Sequence, residues 1–211
     1  MTRPARIWLK ALAWAGCLLP LLVLVYYATT DGLGANPISF ITTWLGQWTF
    51  RLLLVALALT PLRIVFGIGW PLLLRRLLGL FAFFYASLHF LVWILIDHYF
   101  NWDQMLADLV KRRYITVGML ALLLLVPLAI TSTNGMVKRL GGTMWRRLHR
   151  LVYVVGGLAA LHFLWLAKKG RTGPYVYAAI LALLLGVRLW GVLRRRLRRS
   201  AEPAGARTAP A

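Results

Sequence analysis

Apolar residues in this chain run in long blocks, with neither the strict alternation of strands nor the one-sided spacing of surface helices. The blocks are Ala11 to Thr30, Ile41 to Leu62, Leu77 to Ile96, Tyr114 to Ile130, Leu151 to Ala167, and a sixth from Gly173 and Pro174 to just before Arg194. Runs of about 20 apolar residues match the hydrocarbon thickness of a bilayer and exceed what a buried core helix needs. The pattern predicts an all-α integral membrane protein, a six-helix transmembrane bundle. Pro127 in the fourth run is compatible with this, because a bundle can satisfy the carbonyl that a proline frees. The stretch DGLGANP (Asp31 to Pro37) reads as a turn, and Trp44 and Trp48 as interfacial anchors at the outer end of the second helix. Between the third and fourth helices, Trp102, Met105, Leu106, Leu109 and Val110 fall at helical spacing. That stretch is expected to lie on the outer membrane surface as an amphipathic helix, or to dock an extracytoplasmic partner.

Composition agrees: 61% of the 211 residues are hydrophobic and the mean hydropathy is +0.72. The first apolar run is about twice the length of a signal-peptide core and has no small-x-small cleavage site, so it is expected to be a retained helix. One domain is expected over residues 1–200, with a disordered cytoplasmic tail over 201–211.

The net charge of +20 would suggest nucleic acid in a soluble protein. Here the basic residues cluster between apolar runs, which the positive-inside rule explains more simply. With six spans, one face gathers Arg3, Arg6, Lys10, Arg63, Arg75, Arg76, Lys138, Arg139, Arg146, Arg147, Arg150 and the run RRRLRR at Arg194 to Arg199. The other has only Lys111, Arg112, Arg113, Lys168, Lys169 and Arg171, with Asp31, Asp97, Asp103 and Asp108. Both termini are therefore expected in the cytoplasm. No carboxylate lies within an apolar run, which counts against a proton-coupled transporter.

Four histidines remain. His89 lies thirteen residues beyond Arg76 and His162 twelve beyond Arg150, on helices that run in the same direction. At 1.5 Å per residue both imidazoles sit roughly 18–20 Å from the inner edge. Two neutral imidazoles at one depth are what a six-coordinate haem iron needs, whereas an unpaired one would leave polar nitrogens in hydrocarbon. The expected site is a haem held between the third and fifth helices by His89 and His162 as axial ligands. A hydrogen-bonded structural pair is the alternative. The lone Cys17 and the absence of C-x-x-C-H imply that such a haem is not covalently attached. Gly156, Gly157, Ala159 and Ala160 either leave room for a flat macrocycle or pack helices closely.

Arg51, inside the second helix at matching depth, reads as a propionate counter-ion or as a snorkelling cation. His149 starts the fifth helix about 20 Å below His162, on a different helical face unless Gly156 and Gly157 introduce an irregularity. The third helix offers no second histidine; Arg75 stands fourteen residues before His89. The expectation is an inner haem or flavin beside His149, with Arg75 as partner of its anionic group or as an unusual ligand. His98 reads as an interfacial residue.

RRLLGLFAFFYASLHF (Arg75 to Phe90), KRRYITVGM (Lys111 to Met119), PLAITS (Pro127 to Ser132), WRRLHRLVYVVGGLAALHF (Trp145 to Phe163) and LGANP (Leu33 to Pro37) resemble the ferric-reductase-like transmembrane family. The branch they resemble comprises the haem-binding membrane subunits of periplasmic methionine-sulfoxide reductase systems. That resemblance implies an inner-membrane b-type cytochrome, with the family's histidine positions falling on His89, His149 and His162. It implies electrons taken from the quinone pool or a cytoplasmic flavin reductase and passed to a periplasmic molybdopterin subunit, MsrP-like, that repairs oxidised protein methionines. FMN is implied as well, although no phosphate-cradling Gly-rich loop marks a site for it. The larger oxidases and reductases of the family carry two histidines on each of two helices; this chain lacks one of those four, along with their FAD and NAD(P)H domains. The residues themselves supply a redox centre but no catalytic constellation, as an electron-transfer subunit would. The alternatives are a stand-alone transmembrane ferric or metal reductase, and a non-redox transporter or assembly factor with structural histidines.

Overall fold

The computed structural model describes residues 2–167, 170 and 172–201, side chains beyond Leu197 excepted. Lys168, Lys169, Arg171 and the tail from Glu202 onward lie outside the described residues. The elements are helices α1 (Arg3–Thr29), α2 (Pro37–Phe66), α3 (Arg75–Val92), α4 (Trp102–Lys111), α5 (Arg113–Ile130), α6 (Asn134–Leu148), α7 (Leu151–Trp165) and α8 (Gly173–Ala201), with a 3-10 turn at Trp70–Leu74 and a π-helical turn at Trp93–Asp97. The protein is all-helical over these residues. α1, α2, α5, α8 and the segment Trp70–Asp97 are each long and apolar enough to cross a membrane. The sixth predicted span is less regular. α7 has 15 residues, about 22 Å of rise, short for a bilayer. α6 and α7 qualify together, bent by 43° at their junction.

The helix boundaries have local causes. The Asn36 side chain accepts from the Ser39 amide, Pro37 opens α2, and Gly67 closes it at φ 72° with its amide bonded to the Arg63 carbonyl. Thr133 caps α6 through the Met136 amide. Pro61 inside α2 has no N–H for the Leu57 carbonyl four residues back. The Arg188 guanidinium on α8 donates to that carbonyl instead. α1 is held in the same manner, by side chains donating to backbone carbonyls: Tyr85 to Cys17 at 2.7 Å and Trp44 to Pro20 at 3.0 Å.

α2 and α3 pack along one another, as do α5 and α7, and α8 closes against α2 and α7. α3 and α7 do not lie side by side. Leu53, Leu57, Ala82, Tyr85 and Val155 form the most buried part of the core. Leu12, Leu19 and Leu22 on α1 and Leu183 and Leu189 on α8 are exposed, as lipid-facing residues are. One end of the bundle carries Arg63, Arg75, Arg76, Arg146, Arg147 and Arg150, and the opposite end Asp31, Asp97, Asp103 and Asp108. These are called the basic and acidic ends below.

The acidic end is more ordered than an interfacial loop would be. His98 is buried, its Nε2 3.2 Å from Asp108 Oδ2 and its ring tilted against Trp93, with centroids 4.7 Å apart. Tyr99 and Phe100 turn the chain back with φ of 47° and 59°, an uncommon conformation for aromatic residues. The turn brings Asp108 of α4 over the end of α3. The expected amphipathic helix is present as α4, with Trp102, Leu106 and Val110 exposed.

Candidate haem site

α3 places His89 and α7 places His162 with ring centroids 6.2 Å apart and ring planes at 85°. Each ring is fixed from behind. His89 Nδ1 is 2.9 Å from the Thr42 carbonyl oxygen on α2, and His162 Nδ1 is 2.6 Å from the Tyr114 carbonyl oxygen at the start of α5. A carbonyl only accepts, so Nδ1 carries the proton in both rings and both Nε2 atoms present lone pairs. Neither Nε2 makes a hydrogen bond to the described residues. A ligating histidine is usually held in this way, its second nitrogen donating to a backbone carbonyl.

Two glycines make the arrangement sterically allowed. A Cβ on Gly46 of α2 would lie 3.1 Å from the His89 ring, and one on Gly118 of α5 would lie 2.7 Å from His162 Nδ1. Each imidazole thus rests against a glycine on the helix paired with its own. Sequence reasoning passed over both; a lone glycine in an apolar run was the available signal. The room-making role considered for Gly156 goes to packing instead: a Cβ there would meet Leu181 at 3.3 Å and Leu57 at 3.5 Å.

These residues fit a haem. Metal–imidazole nitrogen bonds of about 2 Å put ring centres about 3 Å from the metal, so two rings on one ion stand about 6 Å apart. The observed spacing is 6.2 Å. Among the described residues no group of three or more His, Cys, Asp and Glu converges. A two-histidine set suits a metal that brings its own equatorial ligands, and not a bare zinc ion needing four protein donors.

Arg51 lies five residues beyond Gly46 on α2. Its Nε donates to the Tyr177 hydroxyl at 2.7 Å, its Nη2 to Gln47 Oε1 at 3.3 Å, and it stacks over Trp48 at 4.8 Å. Among the described residues the buried Trp48 Nε1–H has no partner, so Trp48 is more enclosed than an interfacial anchor. Phe163, next to His162, packs with Phe50 and Tyr177.

His149 is not brought to this pair. It occupies the bend between α6 and α7 at the basic end, stacked on Trp145 at 3.9 Å with Nε2 3.1 Å from Thr131 Oγ1. Trp145 in turn donates to the Thr131 carbonyl. The irregularity sought at Gly156 and Gly157 falls here instead, seven residues earlier. Arg75 and Arg76 stand close enough for their charges to act on the His149 ring. At the acidic end, hydrogen bonding with the Tyr114 hydroxyl and the Asp108 carboxylate hold the Arg112 guanidinium charged.

Comparison with known proteins settles the family. The model of the ferric reductase like transmembrane component matches residues 45–160, the segment that contains Gly46, His89, Gly118 and His149. The haem-binding subunit MsrQ of the protein-methionine-sulfoxide reductase of Herminiimonas arsenicoxydans is 49% identical over 195 residues, 92% of this chain and 89% of that protein. MsrQ of Rhodospirillum rubrum is 52% identical over 186 residues, 87% and 88% of the two chains. The chain belongs to the MsrQ family. It is a multi-pass membrane protein of the ferric-reductase-like class, similar over most of its length to subunits of methionine-sulfoxide reductase systems. Ralstonia nicotianae MsrQ, at 49% identity over 183 residues, agrees.

Proposed function

We propose that this chain is a b-type cytochrome that carries electrons across the bacterial inner membrane to a periplasmic methionine-sulfoxide reductase. The observation that carries the reading is the His89–His162 pair, two rings 6.2 Å apart, each tethered by Nδ1 so that both Nε2 lone pairs are free. Bound there, a haem b supplies one-electron chemistry that no protein side chain offers. Thr42 and Tyr114 fix the tautomers and aim the rings, while Gly46 and Gly118 let them seat. Arg51, with Trp48, would neutralise a propionate. The relatives' names, which describe haem-binding subunits of protein-methionine-sulfoxide reductase, support the same role.

The basic end faces the cytoplasm by the positive-inside rule. His149 and Arg75 therefore stand where electrons enter, and an inner haem or FMN beside them would accept electrons from the quinone pool or from a cytoplasmic flavin reductase. Outside, the recipient is a molybdopterin subunit of the MsrP type. The chain itself supplies no nucleophile–base pair, so the sulfoxide chemistry belongs to that subunit.

Purified protein in proteoliposomes is expected to show a reducible b-type spectrum, and its reduced form to be reoxidised when the periplasmic reductase and a methionine-sulfoxide peptide are added together. Reoxidation at equal rate by ferric ions without the reductase would favour a stand-alone metal reductase. A colourless protein would favour a non-redox role.

A further inference from the structure

The joint between α4 and α5 at the acidic end is tied at more points than a turn between two helices needs. Arg112 is the residue at the joint. Its amide ends α4 on the Asp108 carbonyl, and its own carbonyl accepts from the Ile115 amide at 2.8 Å in the first turn of α5. Its side chain repeats the link. Nε lies 3.1 Å from Asp108 Oδ1 on α4, and Nη1 donates to the Tyr114 hydroxyl on α5 at 3.3 Å. The Thr116 hydroxyl donates to the Leu109 carbonyl across the same joint.

The start of α5 carries both supports of His162. Tyr114 supplies the carbonyl oxygen 2.6 Å from His162 Nδ1, and Gly118 is the glycine against which that ring rests. The two are four residues apart, about one helical turn, so whatever fixes the first turn of α5 fixes both. Asp108 extends the tie to the helix of the other histidine. Its Oδ2 is 3.2 Å from His98 Nε2, and His98 Nδ1 is 3.2 Å from the Trp93 carbonyl oxygen. The Trp93 amide in turn is bonded to the His89 carbonyl. A series of direct contacts thus runs from the backbone of His89 to the ring of His162. An ion pair with one partner 53% exposed adds little to stability, so holding geometry is its larger consequence.

We propose that Arg112, bridging Asp108 and Tyr114, is a positioning residue for the His89–His162 haem: it holds the start of α5 so that the Tyr114 carbonyl stays aimed at His162 Nδ1. The inference rests on the haem reading above. An imidazole ligand that donates from its second nitrogen is more basic and favours ferric iron, and such hydrogen bonding is one of the levers a protein has on haem potential. Loosening the joint therefore raises the midpoint potential without removing a ligand.

The test is an optical redox titration of the purified, haem-loaded full-length protein, with haem content measured alongside. Tyr114→Phe removes the hydroxyl and leaves the backbone carbonyl and the net charge as they are. Arg112→Lys keeps the charge and loses the planar fork that spans Asp108 and Tyr114. Both are expected to keep wild-type haem content and absorption maxima, and to titrate at a higher potential than the wild type. In the double variant the shift is expected to match the larger single one, because the same bridge is broken twice. If Tyr114→Phe fails to fold, Arg112→Lys, at a half-exposed position, decides. Wild-type potential in the haem-loaded single variants, a shift to lower potential, or shifts that add in the double variant would overturn the proposal and leave the haem reading standing. A wild-type protein without haem would remove both.

Discussion

The two halves of the bundle treat their histidines differently. At His89 and His162 each ring has one nitrogen bonded to a backbone carbonyl, a glycine behind it and the other nitrogen free. At His149 Nε2 is engaged by Thr131, the ring face is covered by Trp145, and the nearby charges are Arg75 and Arg76. The first arrangement leaves both Nε2 lone pairs without a hydrogen bond, as a metal ligand needs. The second holds an imidazole beside cations, where an anionic group is wanted more than a metal. A histidine's partners thus say more than its depth in the membrane.

The sharpest way to break this contrast is at Gly118. Replacing Gly118 with Val puts branched carbons where even a Cβ would come within 2.7 Å of His162 Nδ1. The ring must turn and lose the Tyr114 carbonyl. Loss of such a tether costs 10- to 100-fold in metal affinity, so haem content per protein, read by pyridine haemochromogen assay, is expected to fall by about tenfold or more. Gly46→Ala, at 3.1 Å, should show the same defect to a lesser degree. Normal haem in both variants would remove the glycine seats from the account.

Next in size is the Arg188 contact at the basic end. Arg188→Met leaves the Leu57 carbonyl, freed by Pro61, without a donor. A cost of about 1–3 kcal/mol is expected from an unsatisfied buried carbonyl. Pro61→Ala restores a helical N–H and should recover part of that loss in the double variant. Chemical-denaturation midpoints of the four proteins give the coupling, and strict additivity would refute it.

At His149 the expectation is selective. His149→Ala leaves the signal of the His89–His162 centre intact and removes only a flavin or second haem, counted by extraction and spectroscopy. Complete haem loss in this variant would merge the two sites that the structure separates. The smallest effect belongs to the acidic end, where Asp108→Asn weakens the hold on His98 and Arg112. Thermal unfolding should register about 1 kcal/mol with the haem spectrum unchanged.

The spans were legible in the sequence because a bilayer imposes length and apolarity on each helix separately. The equal depth of His89 and His162 followed from the same count, and the structure places their rings together. What holds them was hidden, since Thr42, Gly46, Tyr114 and Gly118 sit on other helices and none is unusual in its own run. His98 was read as interfacial because its partner, Asp108, arrives only through the left-handed turn at Tyr99 and Phe100. The bend at His149 was not legible, and the Gly156-Gly157 pair that offers an irregularity is ambiguous because glycine serves both flexibility and close packing. In Gly156 it serves packing against Leu57 and Leu181.

The central proposal is that His89 Nε2 and His162 Nε2 would together hold one haem iron. Low-temperature electron paramagnetic resonance of the oxidised, purified protein tests it most directly, alongside His89→Ala, His162→Ala and His149→Ala. A low-spin bis-imidazole signal is predicted in the wild type and in His149→Ala, and its loss in each of the other two. The same signal surviving in either His89→Ala or His162→Ala would contradict the account.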